Sequence, residues 1–199
     1  MASLASVERA EYCELHQVTL QLPPKKSIVL IGMMGAGKSS IGRRVAARLL
    51  LPFIDADAEI ETAAGCSIAE IFERHGELEF RDGERRVVAR LLAGPVHVLA
   101  TGGGAFMNAQ TRELIAENGI SIWLRADIDV LLRRVSRRND RPMLNSTDQR
   151  GRLVELMKLR DPVYALADLT VESTDGPLEQ TVGRVIEGLS QQLATCGPK

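Results

Sequence analysis

The sequence predicts an α/β protein, a three-layer α/β/α sandwich in which helices cover both faces of a five-stranded parallel sheet. Short, fully apolar segments alternate along the chain with longer segments whose apolar residues recur every three or four positions. Strands that consist of continuous apolar runs are typical of a parallel sheet buried on both faces. The chain has 199 residues and no internal repeat, and it therefore suits one such domain.

The first strand and the first helix have the clearest patterns. Residues 28–31 form a fully apolar run, as a buried strand requires. From Lys38 onwards the pattern becomes helical, with Ile41, Val45 and Leu49 spaced four apart on one face. A glycine-rich loop joins these two elements.

The next segment predicts a short strand and two helices. Residues 53–55 form the strand. Ser67 and Glu70 make a capping box, which begins a helix. Gly76 ends this helix, and another helix follows over residues 77–92.

The rest of the chain continues the alternation. Strands are predicted at 96–100, 120–124 and 169–171, and helices near 111–117, 127–135, 151–160, 162–167 and 178–193. Pro162 is placed at the start of its helix, where the missing N–H is tolerated. Residues 137–150 are polar and irregular, so we expect a mobile lid loop there. Residues 1–24 and 190–199 are predicted to be an extension and a tail of a single domain, 25–189.

Composition excludes several classes of protein. Hydrophobic residues make up 45% and charged residues 26% of the chain, which excludes a fully disordered protein. The net charge of −1 argues against a general nucleic-acid-binding protein. No apolar run approaches the roughly 18 residues of a membrane span, and the three cysteines fit a reducing compartment. We therefore expect a cytoplasmic monomer with no nucleic-acid or membrane partner.

A phosphate-binding loop (P-loop) follows the first strand. Residues 32–39, GMMGAGKS, match the pattern G-x-x-x-x-G-K-[ST] between a predicted strand and a predicted helix. The glycines let successive N–H groups face a polyphosphate, and the helix start adds a positive dipole end. Lys38 can reach the β- and γ-phosphates, and the Ser39 hydroxyl can ligate Mg²⁺.

The class of nucleotide-using enzyme can be narrowed further. The chain contains no Asn-Lys pair, so it lacks the guanine-recognition motif N-K-x-D of a GTPase. It is also too short for the accessory domains of a large ATPase. A kinase of small molecules or nucleotides remains.

Two aspartates follow the second predicted strand. In an extended chain, Asp55 and Asp57 point to the same side, and at the carboxyl end of a strand that side faces the ligand crevice. One carboxylate would then serve the water shell of the metal and the other an acceptor hydroxyl. A helix N-cap for residues 58–62 explains the pair equally well.

Further candidates lie on the acceptor side. Arg81 lies four residues after Glu77 and three before Glu84, which by itself is typical of a solvated ion-pair ladder. Residues 102–104 are three glycines after the third strand, which form either a flexible turn or a backbone approach for a ligand. Five arginines would bring positive charge over a transferring phosphoryl group as part of a lid, or form a solvated helix face: Arg133, Arg134, Arg137, Arg138 and Arg141.

Six ordered motifs over residues 27–189 resemble those of the shikimate kinase family, whose members are P-loop proteins similar to nucleoside-monophosphate kinases. The motifs are GMMGAGKSS, DADAEIE, GCSIAEIF with GELEFRDGE, ATGGGAF, RPML and LRDPVYALAD. The resemblance implies ATP- and Mg²⁺-dependent transfer of the γ-phosphate to the 3-hydroxyl of shikimate. The products would be shikimate 3-phosphate and ADP, within aromatic amino acid biosynthesis.

The resemblance also implies a role for each matching residue. Ser39 would bind Mg²⁺, and Asp55 would lie near the metal through water. Arg134 would stack on the adenine, with a second contact near residues 173–177, and the lid residue Arg141 would reach the phosphates. The nucleotide loop would be Met34, Gly35, Ala36, Gly37, Lys38 and Ser39. The shikimate ligands would be Asp57, Arg81, Gly102, Gly103, Gly104 and Arg160, and the catalytic residues Lys38, Asp57 and Arg141.

Two other functions fit part of the pattern. A gluconate kinase shares the P-loop and the general fold, although the Phe80-Arg81 pair and the triple glycine favour shikimate. A catalytically inactive P-loop domain could serve as a partner-binding module. Intact Lys38, Ser39 and Asp57 argue against that function.

Overall fold

The computed structural model describes residues 26–136 and 148–195. Five parallel strands form one sheet in the order β2-β3-β1-β4-β5. The strands are β1 (Ser27–Ile31), β2 (Phe53–Asp55), β3 (Val98–Ala100), β4 (Gly119–Arg125) and β5 (Leu169–Glu172). This arrangement confirms the predicted α/β class and the number of strands.

Seven α-helices and one short 3₁₀-helix connect and cover the described strands. The helices are α1 (Lys38–Leu49), α2 (Ala56–Ala64), α3 (Ile68–Leu92), α4 (Ala109–Asn118), α5 (Ile128–Ser136), α6 (Gln149–Tyr164) and α7 (Leu178–Thr195), with the 3₁₀-helix at Ala105–Met107. None of these helices is long and apolar enough to cross a bilayer.

The central strand β1 anchors the fold. All five of its residues are buried, as its apolar sequence requires. It pairs with β3 and β4, with Val29 opposite Leu99 on one side and Ser121 on the other. The carboxyl ends of β1, β2 and β3 therefore meet at one edge of the sheet, where ligands bind in open α/β folds.

Helix α3 contains the break that the sequence predicts. The capping box is present, because the Ser67 hydroxyl accepts from the Glu70 N–H and the Glu70 carboxylate accepts from the Ser67 N–H. Gly76 has φ 78° and ψ 177°, a conformation essentially restricted to glycine, and it divides α3 into two helical segments. The second segment, 77–92, carries Arg81.

Helix α6 corrects two predictions. It runs without interruption through Pro162, which lies two residues before its end and cannot donate the hydrogen bond to the carbonyl four residues earlier. Asp148 accepts from the Gly151 N–H at 2.8 Å and caps the helix, so Gln149 and Arg150 are helical rather than part of an irregular lid.

Several predictions fall on residues outside those described. These are the N-terminal extension 1–24, the lid residues 137–147 with Arg141, and the last four residues of the tail. Helix α7 continues to Thr195, into the segment predicted as a tail.

Candidate active site

A cleft of about 500 Å³ lies at the carboxyl edge of the sheet. It collects eight of the predicted site residues from distant parts of the sequence, whereas Arg81, Gly102, Gly104 and Arg160 are not part of its lining. Its lining includes Gly35, Gly37, Lys38, Ser39, Asp55, Asp57, Gly103 and Arg134.

The phosphate-binding loop has the backbone that its glycines predict. Gly32, Gly35 and Gly37 have φ values of 135°, 80° and 98°, which L-residues with side chains rarely adopt. The Lys38 Nζ donates to the carbonyls of Gly32 at 2.8 Å and Met33 at 3.0 Å. The lysine side chain therefore folds back over the loop, and its ammonium group lies where it can bind a polyphosphate.

The other loop residues contribute backbone rather than side chains. Ala36 is completely buried, and its carbonyl accepts from the Ser173 hydroxyl at 2.8 Å. Met34 is half-buried and packs against the hydrophobic core. Of the six predicted loop residues, these two lie outside the lining of the cleft.

Ser39 and Asp55 form the candidate metal site. The Ser39 hydroxyl donates to Asp55 Oδ2 at 2.7 Å, directly beside the phosphate loop. Two adjacent oxygen donors fit Mg²⁺, which prefers oxygen ligands and completes its shell with water and substrate phosphates. Within residues 26–136 and 148–195, no cluster of three His, Cys, Asp or Glu residues could hold a metal.

The two aspartates face the cleft, but for a different reason from the one predicted. The chain does not stay extended after β2, because Asp57 lies in the first turn of α2. Asp55 Oδ1 accepts from the Asp57 N–H at 3.2 Å and caps that helix. The N-cap explanation is thus correct for Asp55, and the same carboxylate also reaches Ser39 through its other oxygen.

Arg81 is held by two glutamates of its own helix. It donates to Glu84 at 2.8 Å and to Glu77 at 3.2 Å. The side chain of Glu77 is 68% exposed, whereas that of Glu84 is 3% exposed. The interpretation as a solvated ladder is therefore correct for Glu77 and wrong for Glu84, which is buried beneath the site.

Gly102 leaves room for two carboxylates. A Cβ atom at this position would lie 2.7 Å from Glu84 Oε1 and 2.8 Å from Asp57 Oδ1. Any side chain would displace one of them. The first glycine of the triple is thus required by the packing of acidic groups against the backbone.

The other two glycines accommodate two arginines in the same way. A Cβ atom at Gly103 would lie 3.2 Å from Arg160 Nη1, and one at Gly104 would lie 2.6 Å from Arg81 Nη2. The triple glycine therefore does more than expose backbone to a ligand. It brings two guanidinium groups against one loop.

Glu84 is the site residue that sequence reasoning missed. Its Oε1 is buried and has no hydrogen-bond partner among the described residues. Burial raises the pKa of this carboxyl, against the lowering effect of the hydrogen bond from Arg81. A signal was present in the sequence: Phe80, Glu84 and Val88 are spaced four apart, so a charged residue lies on the buried stripe of a helix.

Arg134 lies at the opposite end of the cleft, with the segment after β5. Its Nη1 donates to the Ser173 hydroxyl at 2.9 Å, and its Nη2 donates to the Thr174 carbonyl. Asp175 and Gly176 line the cleft beside it. The predicted second contact near residues 173–177 thus lies next to the predicted adenine contact.

The sequence match to known families agrees with this geometry. A sequence model of the family described as shikimate kinase matches residues 34–190. The chain belongs to the shikimate kinase family. A shikimate kinase of Bradyrhizobium diazoefficiens is 60% identical over 172 residues, which cover 86% of this chain and 82% of that protein.

Solved structures of the shikimate kinase family also share the fold. A shikimate kinase from Acinetobacter baumannii, solved in complex with shikimate, superposes with a TM-score of 0.80 and 35% identity, covering 92% of this chain and 99% of the other. A gluconokinase from Sinorhizobium meliloti gives a TM-score of 0.61 at 21% identity, covering 89% and 100% of the two chains. The latter likeness concerns the fold alone.

Proposed function

We propose that the chain transfers the γ-phosphate of ATP to the 3-hydroxyl of shikimate, which gives shikimate 3-phosphate and ADP. The observation that carries this proposal is the acceptor cluster. Arg81 and Arg160 converge on the glycine loop beside Asp57, next to a phosphate-binding loop. Membership of the shikimate kinase family supports the same substrates.

On the nucleotide side, the phosphate loop would bind the polyphosphate through its backbone N–H groups. Lys38 would leave its two carbonyl partners and bind the β- and γ-phosphates. Ser39 and Asp55 would hold Mg²⁺, which neutralises phosphate charge when it is bound. Arg134, fixed by Ser173 and Thr174, would lie against the base.

On the acceptor side, two guanidinium groups would bind the carboxylate of shikimate. Arginine makes charge-assisted, bidentate hydrogen bonds to carboxylates, which orients the ring as well as holding it. Asp57 would accept a hydrogen bond from the 3-hydroxyl and take its proton as the phosphoryl group is transferred. Gly102, Gly103 and Gly104 would let the ring approach the backbone.

Arg141 and the lid are part of the proposal, although they lie outside the described residues. An arginine brought over the phosphates would add positive charge to the transferring group, and closure would exclude water as a competing acceptor. We further propose that the protein acts as a monomer in the cytoplasm.

An acceptor panel tests the proposed function. ADP release is followed with ATP and Mg²⁺ against shikimate, gluconate and quinate. We expect efficient turnover with shikimate alone. If gluconate were phosphorylated faster than shikimate, the protein would be a gluconate kinase. If no acceptor led to ADP release, an inactive partner-binding domain would be favoured.

A further inference from the structure

Tyr164 connects two parts of the acceptor site without touching the cleft. Its side chain is fully buried, and it lies on α6 one turn after Arg160. The phenol hydroxyl donates a hydrogen bond to the carbonyl of Gly103, the central glycine of the loop after β3. The residue therefore joins the helix that carries Arg160 to the glycine loop.

Arg160 lies close to the same hydroxyl. Its positive charge lowers the pKa of Tyr164 against the larger raising effect of burial. The single phenol proton is donated to the Gly103 carbonyl. The buried hydroxyl thus bonds the glycine loop one helical turn away from Arg160.

The surroundings keep this hydroxyl protonated and in place. Burial raises the pKa of Tyr164 to about 12, so the group remains a donor throughout the neutral range. Its ring packs against Trp123 with ring centroids 5.9 Å apart. Arg160 Nη1 lies 3.2 Å from the position of a Cβ on Gly103, so the guanidinium and the phenol hydroxyl both lie against this glycine.

We propose that Tyr164 is a positioning residue for acceptor recognition: its hydroxyl fixes the glycine loop against the turn of α6 that carries Arg160, so that the guanidinium lies where it receives the acceptor carboxylate. This inference rests on the proposed function, because it assumes an anionic acceptor at Arg160. Tyr164 would make no contact with substrate and would act entirely through the Gly103 loop and Arg160. The affinity for the acceptor would then depend on a hydroxyl group buried beneath the site.

Tyr164→Phe tests the inference, because it keeps the ring and removes only the hydroxyl. We expect the KM for shikimate, and its Kd measured by calorimetry, to rise about tenfold, which corresponds to about 1.4 kcal/mol. The KM for ATP and the kcat at saturating shikimate should stay within about threefold. If Tyr164→Phe gives no folded protein, Tyr164→Met is measured in the same way, since methionine fills irregular core gaps.

Ser121→Ala is the matched control. It removes another buried hydroxyl, which donates to Asp168 at 2.6 Å near the amino end of β4, away from the cleft. Both variants should lower the midpoint of urea unfolding. Only Tyr164→Phe should change the shikimate KM, and an equal change in both variants would overturn the inference.

A double-mutant cycle identifies the route of the effect. In the Arg160→Ala background, Tyr164→Phe should change the Kd for shikimate less than twofold, because the guanidinium that it positions is already absent. A full tenfold effect in that background, or none in the wild-type background, would overturn the proposed role. Wild-type protein that neither binds nor phosphorylates shikimate would instead refute the proposed function.

Discussion

The phosphate side and the acceptor side of the cleft are built on different principles. The phosphate side is one continuous segment, 32–39, whose shape follows from glycine φ values and from hydrogen bonds that the Ala36 N–H and the Lys38 ammonium donate to carbonyls of the same segment. The acceptor side is assembled from α2, α3, α6 and the loop after β3, and its members are charged side chains packed on glycines. The first is a local property of the sequence, whereas the second exists only in the folded chain.

The largest expected effect tests the phosphate side. Lys38→Met keeps most of the side-chain stem and removes the charge, so we expect kcat to fall by about 10³- to 10⁵-fold, as for other cations at a transferring phosphoryl group. Steady-state ADP release measures this. Lys26→Met is the control, because Lys26 caps the end of α4 through the carbonyls of Ala116 and Glu117. A loss below tenfold for Lys38→Met would contradict the proposed role.

Asp57→Asn tests the junction of the two sides. An amide cannot take the hydroxyl proton, so kcat should fall by about 10²- to 10⁴-fold while ATP binding, followed by calorimetry, is retained. Asp82→Asn on α3 is a suitable control, since Asp82 forms ion pairs with Arg85 and Arg86 at the surface. A near-normal kcat would mean that Asp57 has no catalytic role and is only a residue of the first helical turn.

Arg81→Ala tests the acceptor side when a charged and an uncharged acceptor are compared. Losing one partner of a desolvated ion pair costs about 2–5 kcal/mol, so the KM for shikimate should rise by about 30- to 5000-fold with little change for ATP. With the uncharged methyl ester of shikimate as the acceptor, the KM values of the wild type and the variant should differ far less. Arg85→Ala, on the same helix, is the control. Equal losses on acid and ester would make Arg81 a structural partner of Glu77 and Glu84.

Glu84→Gln tests whether buried charge makes the acceptor side sensitive to pH. Burial raises the pKa of Glu84 above its ordinary 4.5, so the folded protein binds this proton more tightly than the unfolded chain. The resulting stabilisation is complete below pH 4.5 and is lost as the pH rises through the raised pKa.

The free energy of unfolding of the wild type, minus that of Glu84→Gln, should therefore fall as the pH rises from about 4.5. Urea unfolding over a pH series measures this difference. Glu77→Gln, which removes the exposed partner of the same arginine, is the matched control. A difference that grows with pH would contradict the effect of burial on Glu84.

The smallest effect concerns the helix that carries the phosphate loop. Leu50, at the end of α1, has φ 55° and ψ 36° and is 92% exposed. Leu50→Gly should relieve this left-handed conformation and raise the free energy of unfolding by about 0.5–1 kcal/mol in urea titrations. Kinetics should be unchanged on both sides of the cleft. A lower free energy of unfolding for the variant would mean that the Leu50 side chain makes stabilising contacts despite its exposure.

The two sides also differ in how far the sequence predicts them. The loop 32–39 was predictable because its glycines, lysine and serine stand at fixed spacing between a strand and a helix. The fold followed from apolar periodicity, apart from α2, which was only an alternative explanation of the aspartate pair, and α6, which begins at Gln149 and continues through Pro162. The burial of Glu84 was not predicted, because the i, i+3 spacing from Arg81 is the same for a solvated pair and a buried one. The four-residue spacing of Glu84 from Phe80 and Val88 indicates a buried position, and the fold adds which group covers it, the loop of Gly102.

The position of Trp123 makes the protein its own optical probe. It is the only tryptophan in the sequence, and it is 6% exposed on β4. Its ring lies beside Tyr164 and about 3.4 Å from the position of a Cβ on Gly32, the first glycine of the phosphate loop. All indole emission therefore originates where the nucleotide side meets the acceptor side, and changes in its wavelength or intensity report on that junction without any added label.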